Sequence, residues 1–202
     1  MTKFPYPENP ALTDAPLIDP IKRRWSPLAF SPESIEPEKI QAIFEAARWT
    51  ESSRNELPWR IIYATREDQN DFEKLLSMLT EDNFAYAKDA YLLMLICAYP
   101  TFPNYQDKPN RTHQYDTGAA AHAMFLQAVG SGLVAHMVGG FDKKRPYQEL
   151  GIPENVVLMT MMVVGYPGDE SKVDPGLLKE RIEERNDRKP LATRVFKGKW
   201  RG

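Results

Sequence analysis

The chain has 202 residues, of which 42% are hydrophobic and 27% charged, a composition typical of one globular domain with or without extended ends. Its net charge of -2 gives no general attraction to nucleic acids or anionic membranes, and no apolar run approaches the roughly 20 residues that span a bilayer. The single cysteine, Cys97, excludes an internal disulfide and suits a reducing compartment. Because residues 1–20 show no signal-peptide pattern, we expect a cytoplasmic protein.

The ends of the chain are predicted to be arms, and the part between them alternates irregularly between helices and strands. Five prolines in residues 1–20 predict an extended arm, whose apolar side chains favour docking on a surface, in particular that of a partner subunit. Apolar periodicity predicts helices at 37–48, 68–79, 115–129, 143–150 and 175–185. Apolar, β-prone runs predict strands at 59–64, 91–98, 133–138 and 156–165, with a loop at 99–114.

This order of elements favours helices on both faces of a mixed sheet. It is not a strict strand–helix alternation, so a doubly wound parallel fold is disfavoured. The helix predicted at 115–129 is rich in alanine, which permits close approach to another helix or to the same helix of a partner subunit.

One short segment could hold a phosphate without a glycine-rich loop. Arg23, Arg24 and Ser26 place two guanidinium groups and a hydroxyl close together, and guanidinium is suited to bidentate contact with phosphate oxygens. On composition alone, a solvated basic loop remains the alternative.

Several common sites are disfavoured by spacing. The three histidines, His113, His122 and His136, lack the spacing of metal ligands, so we predict no metal site. The glycines at 130 and 132 match a dinucleotide fingerprint, but they follow a helix and open a strand, which is the wrong context.

Four segments of the sequence together resemble the FMN-dependent nitroreductase family. Residues 23–30 read Arg-Arg-Trp-Ser-Pro-Leu-Ala-Phe, and residues 52–59 read Ser-Ser-Arg-Asn-Glu-Leu-Pro-Trp. Gly-Gly-Phe-Asp at 139–142 and Arg-Lys-Pro at 188–190 follow in the family's order. The resemblance spans roughly residues 20–192.

The resemblance implies an α+β, nitroreductase-like fold. Its central mixed or antiparallel sheet is flanked by helices, and arms are exchanged between the subunits of a homodimer. We therefore expect an N-terminal arm at 1–20, an FMN-binding domain at 21–191 and a C-terminal arm at 192–202.

The implied function is electron transfer from NAD(P)H to a small organic acceptor, nitroaromatic or quinone in type, by a ping-pong scheme. FMN carries the chemistry, so no catalytic side chain is expected. Three alternatives stay open: a flavin reductase, a flavin-binding protein without productive turnover, and a flavin-free helical scaffold.

The resemblance also assigns residues to the FMN site. Arg24 and Ser26 would contact the phosphate, with Arg23 beside them and Trp25 contributing its backbone. Arg188 would close on the same phosphate, and Arg185 would replace it if the register slips. The remaining implied contacts are Asn55 on the ring, Asn83 toward the pyrimidine and ribityl part, and Met137, Val138, Gly139 and Gly140 over one ring face.

The acceptor pocket is predicted from nearby aromatic residues. Its members are Phe84, Tyr86, Phe102, Tyr105 and His113, some of them donated by the partner subunit. The sequence departs from the family at two positions: Leu28 stands where a cation is usual and Leu57 where glutamine is usual. We expect the loss at Leu28 to affect the redox potential, or Arg54 to take over its role.

Overall fold

The computed structural model describes residues 3–201, so Met1, Thr2 and Gly202 of the predicted arms lie outside it. The helices are α1 (Asp19–Arg23), α2 (Pro37–Arg48), α3 (Gln69–Leu76), α4 (Glu81–Ala87), α5 (His113–Gly130), α6 (Arg145–Glu149) and α7 (Pro175–Asn186). The strands are β1 (Phe30–Ser31), β2 (Trp59–Thr65), β3 (Leu92–Ala98), β4 (Thr101–Phe102), β5 (Lys108–Pro109), β6 (Val134–Val138) and β7 (Val157–Pro167). None of the helices within these residues has the length and apolar character needed to cross a membrane.

Five of the strands form one antiparallel sheet around β7. Strand β7 pairs with β3 along one edge and with β6 and β1 along the other, and β2 pairs with the far edge of β3. Strands β4 and β5 form a separate antiparallel pair. The predicted α+β architecture is confirmed, and all its strand pairings are antiparallel.

Strand β3 is buried on both faces and so divides the core into two layers. All seven of its residues are buried. Leu93 and Leu95 pack with α3 and α4, whereas Met94 and Ile96 pack with α2 and α5. Because successive side chains of a strand point to opposite faces, the continuous apolar run of β3 is what a strand between two helical layers requires.

Helix α5 supplies most of the contact on one face of the sheet. Its buried side chains include Ala120, Met124, Phe125 and Ala128, and α2 packs beside it. The small residues thus allow the close helix approach that the sequence predicted, in this case with α2 of the same chain.

The structure differs from the predicted elements at several short segments. Helix α3 ends at Leu76, and a second short helix, α4, follows where no helix was predicted. The predicted loop at 99–114 contains the β4–β5 pair and the first two residues of α5. Residues 19–20 of the predicted arm belong to α1, since Asp19 and Pro20 suit a helical first turn.

The N-terminal arm packs on its own chain. The Trp25 Nε1 donates to the Pro7 carbonyl at 2.8 Å, and the Ala11 amide donates to Lys22 at 2.8 Å. Asn9 is buried. Residues 7–11 thus pack against their own chain, and docking of the arm on a partner subunit stays a prediction.

Candidate functional site

Three arginine side chains meet where the segment after α1 reaches the end of α7. Arg185 Nε donates to the Arg24 carbonyl at 3.2 Å, and Arg188 follows α7 by two residues. Burial and then the charge of Arg188 lower the pKa of Arg24. Burial and then the charges of Arg24 and Arg188 lower the pKa of Arg185. These three residues, the arginine cluster, are close enough to repel one another.

The arginine cluster has the properties of an anion site. Within residues 3–201, no carboxylate forms an ion pair with Arg24, Arg185 or Arg188. Gathering like charges without a counter-charge is unfavourable, and an anionic ligand relieves the repulsion. Guanidinium groups match phosphate oxygens in geometry, and the half-buried Ser26 lies two residues after Arg24. A phosphate is thus the anion class that the cluster suits best.

The other two members of the predicted phosphate segment face the N-terminal arm instead. The Arg23 guanidinium lies 4.4 Å from the centre of the Tyr6 ring and pairs with Asp19 at 3.5 Å and Glu8 at 3.9 Å. The Trp25 indole is buried and bonded to Pro7. The prediction that Arg23 contacts the phosphate is therefore not supported, because its charge is already engaged.

A second potential ligand surface lies at the end of β6, at Gly139 and Gly140, here called the glycine turn. The backbone N–H groups of both residues donate to no acceptor among residues 3–201. The Gly140 carbonyl, by contrast, accepts from the Thr80 amide at 3.1 Å, the Thr80 hydroxyl at 3.3 Å and the Asn83 amide at 3.0 Å. The turn thus has a fixed orientation and two unused donors.

Glycine at position 140 lets Asn83 and Thr80 approach the backbone closely. A Cβ there would lie 2.5 Å from Asn83 Nδ2 and 3.0 Å from Thr80 Oγ1. The preceding strand residues are less available to a ligand. Val138 is buried in the core and its carbonyl accepts from the Thr160 hydroxyl, whereas Met137 is half-buried on the α5 side.

Asn83 holds the glycine turn through its side chain. Its amide nitrogen donates to Gly140 and to the Thr80 hydroxyl, and its amide oxygen accepts from the Tyr86 hydroxyl at 2.7 Å. These bonds use both hydrogens of the Asn83 amide and one lone pair of its oxygen, so the side chain positions the glycine turn, and its direct contact with a ligand stays a prediction. The helical spacing of Asn83 and Tyr86, three residues apart, was a signal that α4 presents both to the same neighbour.

Tyr86 connects the network of hydrogen bonds around Asn83 to His136, a residue to which sequence reasoning assigned no role. The two rings stack with centroids 4.8 Å apart. The His136 Nδ1 lies 3.1 Å from the Pro27 carbonyl, and because a carbonyl can only accept, Nδ1 carries the proton. Burial lowers the pKa of His136 to about 4, so the ring is neutral at pH 7. The network joins the glycine turn to residues 27 and 28.

The loop that carries Asn55 has an unusual backbone. Arg54, Asn55 and Leu57 have φ angles of 57°, 55° and 50°, in the left-handed region. Such residues cost of order 1–3 kcal/mol each and cluster at functional sites. The loop is held by the buried Asp116 of α5, which accepts from the Ser53 amide at 3.1 Å.

Within one chain, Asn55 and the arginine cluster lie toward opposite ends of α5. The Asn55 loop is bonded to Asp116, whereas the Arg24 guanidinium lies 5.6 Å from the centre of the Phe125 ring. Nine residues of α-helix separate these two anchor points by about 14 Å. Asn55 is exposed and makes no side-chain hydrogen bond within residues 3–201.

The predicted pocket residues form two groups. Phe102 and Tyr105 lie by the Asn55 loop, where the Arg54 guanidinium is 4.5 Å from the Tyr105 ring and 5.5 Å from the Phe102 ring. His113 anchors the start of α5, with Nδ1 2.7 Å from the Asn110 carbonyl. Phe84 is exposed on α4, beside Asn83. The chain therefore does not bring Phe84 into one pocket with Tyr105 and His113.

A cavity of about 740 Å³ lies next to this network without reaching the arginine cluster. Leu28, Phe30, Tyr86 and Leu177 line it, together with charged residues at its rim. Leu28 is buried in the apolar core, so it supplies neither charge nor a hydrogen bond. No group of three or more histidine, cysteine or acidic residues in the described chain is arranged to hold a metal ion.

Comparisons with known proteins identify the family of the chain. A family model described as the nitroreductase family matches residues 85–166, from α4 to the end of β7. A solved structure described as an oxidoreductase containing FMN is 30% identical, with a TM-score of 0.89, and the match covers 97% of this chain and 98% of that one. The chain belongs to the nitroreductase family.

Other members of the nitroreductase family are similar over most of the chain. A candidate NADH dehydrogenase/NAD(P)H nitroreductase from Archaeoglobus fulgidus is 29% identical over 154 residues, covering 74% of this chain and 84% of the relative. The structure of a candidate nitroreductase from Desulfovibrio desulfuricans in complex with FMN has a TM-score of 0.69 at 18% identity, covering 94% of this chain and all of that one. The likeness to the Desulfovibrio desulfuricans structure supports the fold. The predicted nitroreductase-like fold is thus confirmed.

Proposed function

We propose that this nitroreductase-family protein is an FMN-dependent oxidoreductase that takes electrons from NAD(P)H and passes them to a small aromatic acceptor in a ping-pong scheme. The observation that carries the proposal is the arginine cluster, which has no carboxylate partner in the described chain. The FMN named for two similar structures supports the same cofactor here. Acceptors of nitroaromatic or quinone type follow from the family.

The residues present fit FMN at two places. The arginine cluster and Ser26 would hold the phosphate, and the unused N–H donors of the glycine turn would meet a polar edge of the ring. The segment from Arg24 to Pro27 connects these places, since the Pro27 carbonyl is bonded to His136 of β6. Asn83 and Tyr86 would act on the ring through the glycine turn.

Bound FMN would supply the two-electron chemistry, and the chain would supply binding, orientation and electrostatics. The arginine cluster fixes one end of the ligand. The glycine turn offers backbone donors whose direction is set by Thr80 and Asn83, so no reorganisation is needed when a ligand arrives. No nucleophile or proton-transferring side chain is required of the chain.

The proposal includes a cytoplasmic homodimer. Asn55 is separated from the arginine cluster within one chain, so a second copy is a simple source of the group that completes the site. Leu191 and Val195 of the C-terminal segment are exposed, as are Trp49 and Tyr115. These side chains are available for contact with a partner subunit. Sedimentation of the FMN-bound protein as a monodisperse monomer would contradict this part.

The visible spectrum of the purified protein tests the function. We expect flavin absorption, noncovalent FMN released on denaturation, and anaerobic bleaching by NADH or NADPH that an added quinone or nitroaromatic reverses. A protein that stays colourless after incubation with FMN would contradict the proposal. Bleaching accompanied by release of reduced flavin would favour a flavin reductase, and bound flavin that NAD(P)H never bleaches would favour a binding protein without turnover.

A further inference from the structure

Helix α7 faces the body of the protein with cationic side chains. Of its twelve residues, Leu178, Arg181 and Arg185 are half-buried, and the other nine are exposed. Their spacing of three and four places them on one side of the helix. Arg185 belongs to the arginine cluster, and Arg181 lies one turn before it, about 6 Å along the helix axis.

The guanidinium group of Arg181 is only partly hydrogen-bonded. Its Nε is buried and has no hydrogen-bond partner among residues 3–201. Its Nη1 pairs with the exposed Glu184 at 2.9 Å. Leu177, one turn before Arg181, lines the 740 Å³ cavity together with Leu28 and Tyr86, which places this part of α7 beside the stacked rings. In keeping with this position, the charge of Arg181 lowers the pKa of both Tyr86 and His136, in addition to the larger effect of burial.

Two other cations near these sites, Arg54 and Lys143, are engaged elsewhere. Arg54 stacks on Phe102 and Tyr105 at the Asn55 loop. Lys143 Nζ donates to the Gly139 carbonyl at 3.2 Å. In a trans peptide the carbonyl and the following N–H point in opposite directions, so Lys143 lies on the side of the turn opposite to the Gly140 N–H. The buried Leu28 offers no charge.

We propose that Arg181 is the residue that sets the redox potential of the bound flavin, supplying from α7 the positive charge that position 28 lacks. The inference rests on the proposed function. Two-electron reduction adds negative charge to the pyrimidine side of the flavin ring, and a nearby cation favours the reduced form over the oxidised one. Arg185 would thus act on the phosphate of the ligand, and Arg181 would act on its ring.

Potentiometric titration of the FMN-bound protein tests this role. We expect Arg181→Met to weaken the binding of reduced FMN relative to that of oxidised FMN by about tenfold. For a two-electron couple, this lowers the midpoint potential of the bound flavin by about 30 mV. Glu184→Gln frees the arginine from its partner and should move the potential in the opposite direction. Lys179→Met, on the exposed side of the same helix, and Lys143→Met should leave it unchanged.

Two further variants keep the test decisive. Arg181→Lys retains the charge and should stay near the wild-type potential, and Leu28→Arg placed in Arg181→Met should restore it. The role of Arg181 would be overturned if the FMN-bound Arg181→Met variant had the wild-type potential. If that variant does not fold, a wild-type potential in FMN-bound Glu184→Gln would overturn it. A shift in Lys143→Met instead would transfer the role to that residue. A wild-type protein that binds no FMN would overturn the proposed function itself.

Discussion

Helices α5 and α7 attach to the same body by different forces. Helix α5 buries residues along its whole length, including Met124, Phe125 and Ala128. Helix α7 has no buried residue and is held by single polar bonds, among them Arg185 to the Arg24 carbonyl and Asn186 to Asn9. The hydrophobic effect secures α5 with or without a ligand, whereas the underside of α7 presents cations that an anion would stabilise.

This contrast indicates a division of labour. The sheet and α5 form a rigid support that fixes the glycine turn and the Asn55 loop. Helix α7 carries two of the cations attributed to the site but contributes little apolar burial. We therefore expect α7 to respond to the ligand and α5 to ignore it.

The largest expected effect is on the free energy of unfolding, through the helix α5 that packs on the sheet. Met124→Ala removes a fully buried side chain of α5 and should lower the free energy of unfolding by about 2–5 kcal/mol. Leu178→Ala, on the inward side of α7, should cost less than about 1 kcal/mol because its side chain is only half-buried. Urea denaturation compares the two, and equal losses would remove the contrast between the helices.

A second effect comes from the buried His136 of β6. Its pKa of about 4 in the folded chain lies below the usual value of about 6.5, so the unfolded chain binds the proton first as the pH falls. Stability should be full above pH 6.5 and decline by about 3 kcal/mol on going down to pH 4. His136→Gln should lose this slope, whereas His122→Gln should keep most of it because the pKa of His122 is lowered by less. An unchanged slope in His136→Gln would assign the pH dependence to other groups.

The third effect concerns α7 directly and is measured by hydrogen exchange. FMN at 100 times its Kd should slow exchange of the α7 amides by up to about 100-fold, equivalent to about 2.7 kcal/mol, if opening of α7 abolishes binding. Amides in the middle of α5 should change much less. Equal protection of both helices would mean that the ligand stabilises the whole chain and that α7 has no separate response.

The elements predicted correctly are those whose signal is long. Strand β3 was recognisable as a continuous apolar run, and α2 and α5 by periodicity or by alanine content over more than ten residues. Helix α4 escaped prediction because seven residues hold fewer than two turns, and only Tyr86 and Ala87 are buried. Its position depends on tertiary contacts with the glycine turn, which no local pattern records.

The site was predictable in its chemistry and less so in its geometry. Sequence reasoning selected Arg24, Arg185 and Arg188 before their meeting point was known. It could not show that the Arg23 side chain turns toward Tyr6 and Asp19, because the directions of adjacent side chains depend on the local backbone conformation. Nor could it find Arg181, since a charged residue on a polar helix resembles any solvated one until its neighbours are known.

Titration of apoprotein with FMN in Arg24→Ala and in its neighbour Arg23→Ala tests the central claim most directly. Both variants remove one guanidinium, but only Arg24 belongs to the arginine cluster. We predict that Arg24→Ala weakens FMN binding by about 1.5–3 kcal/mol, the range for hydrogen bonds to charged groups. Arg23→Ala should change binding by much less. An unchanged Kd in Arg24→Ala, with a folded protein, would contradict the assignment of the arginine cluster as the phosphate site.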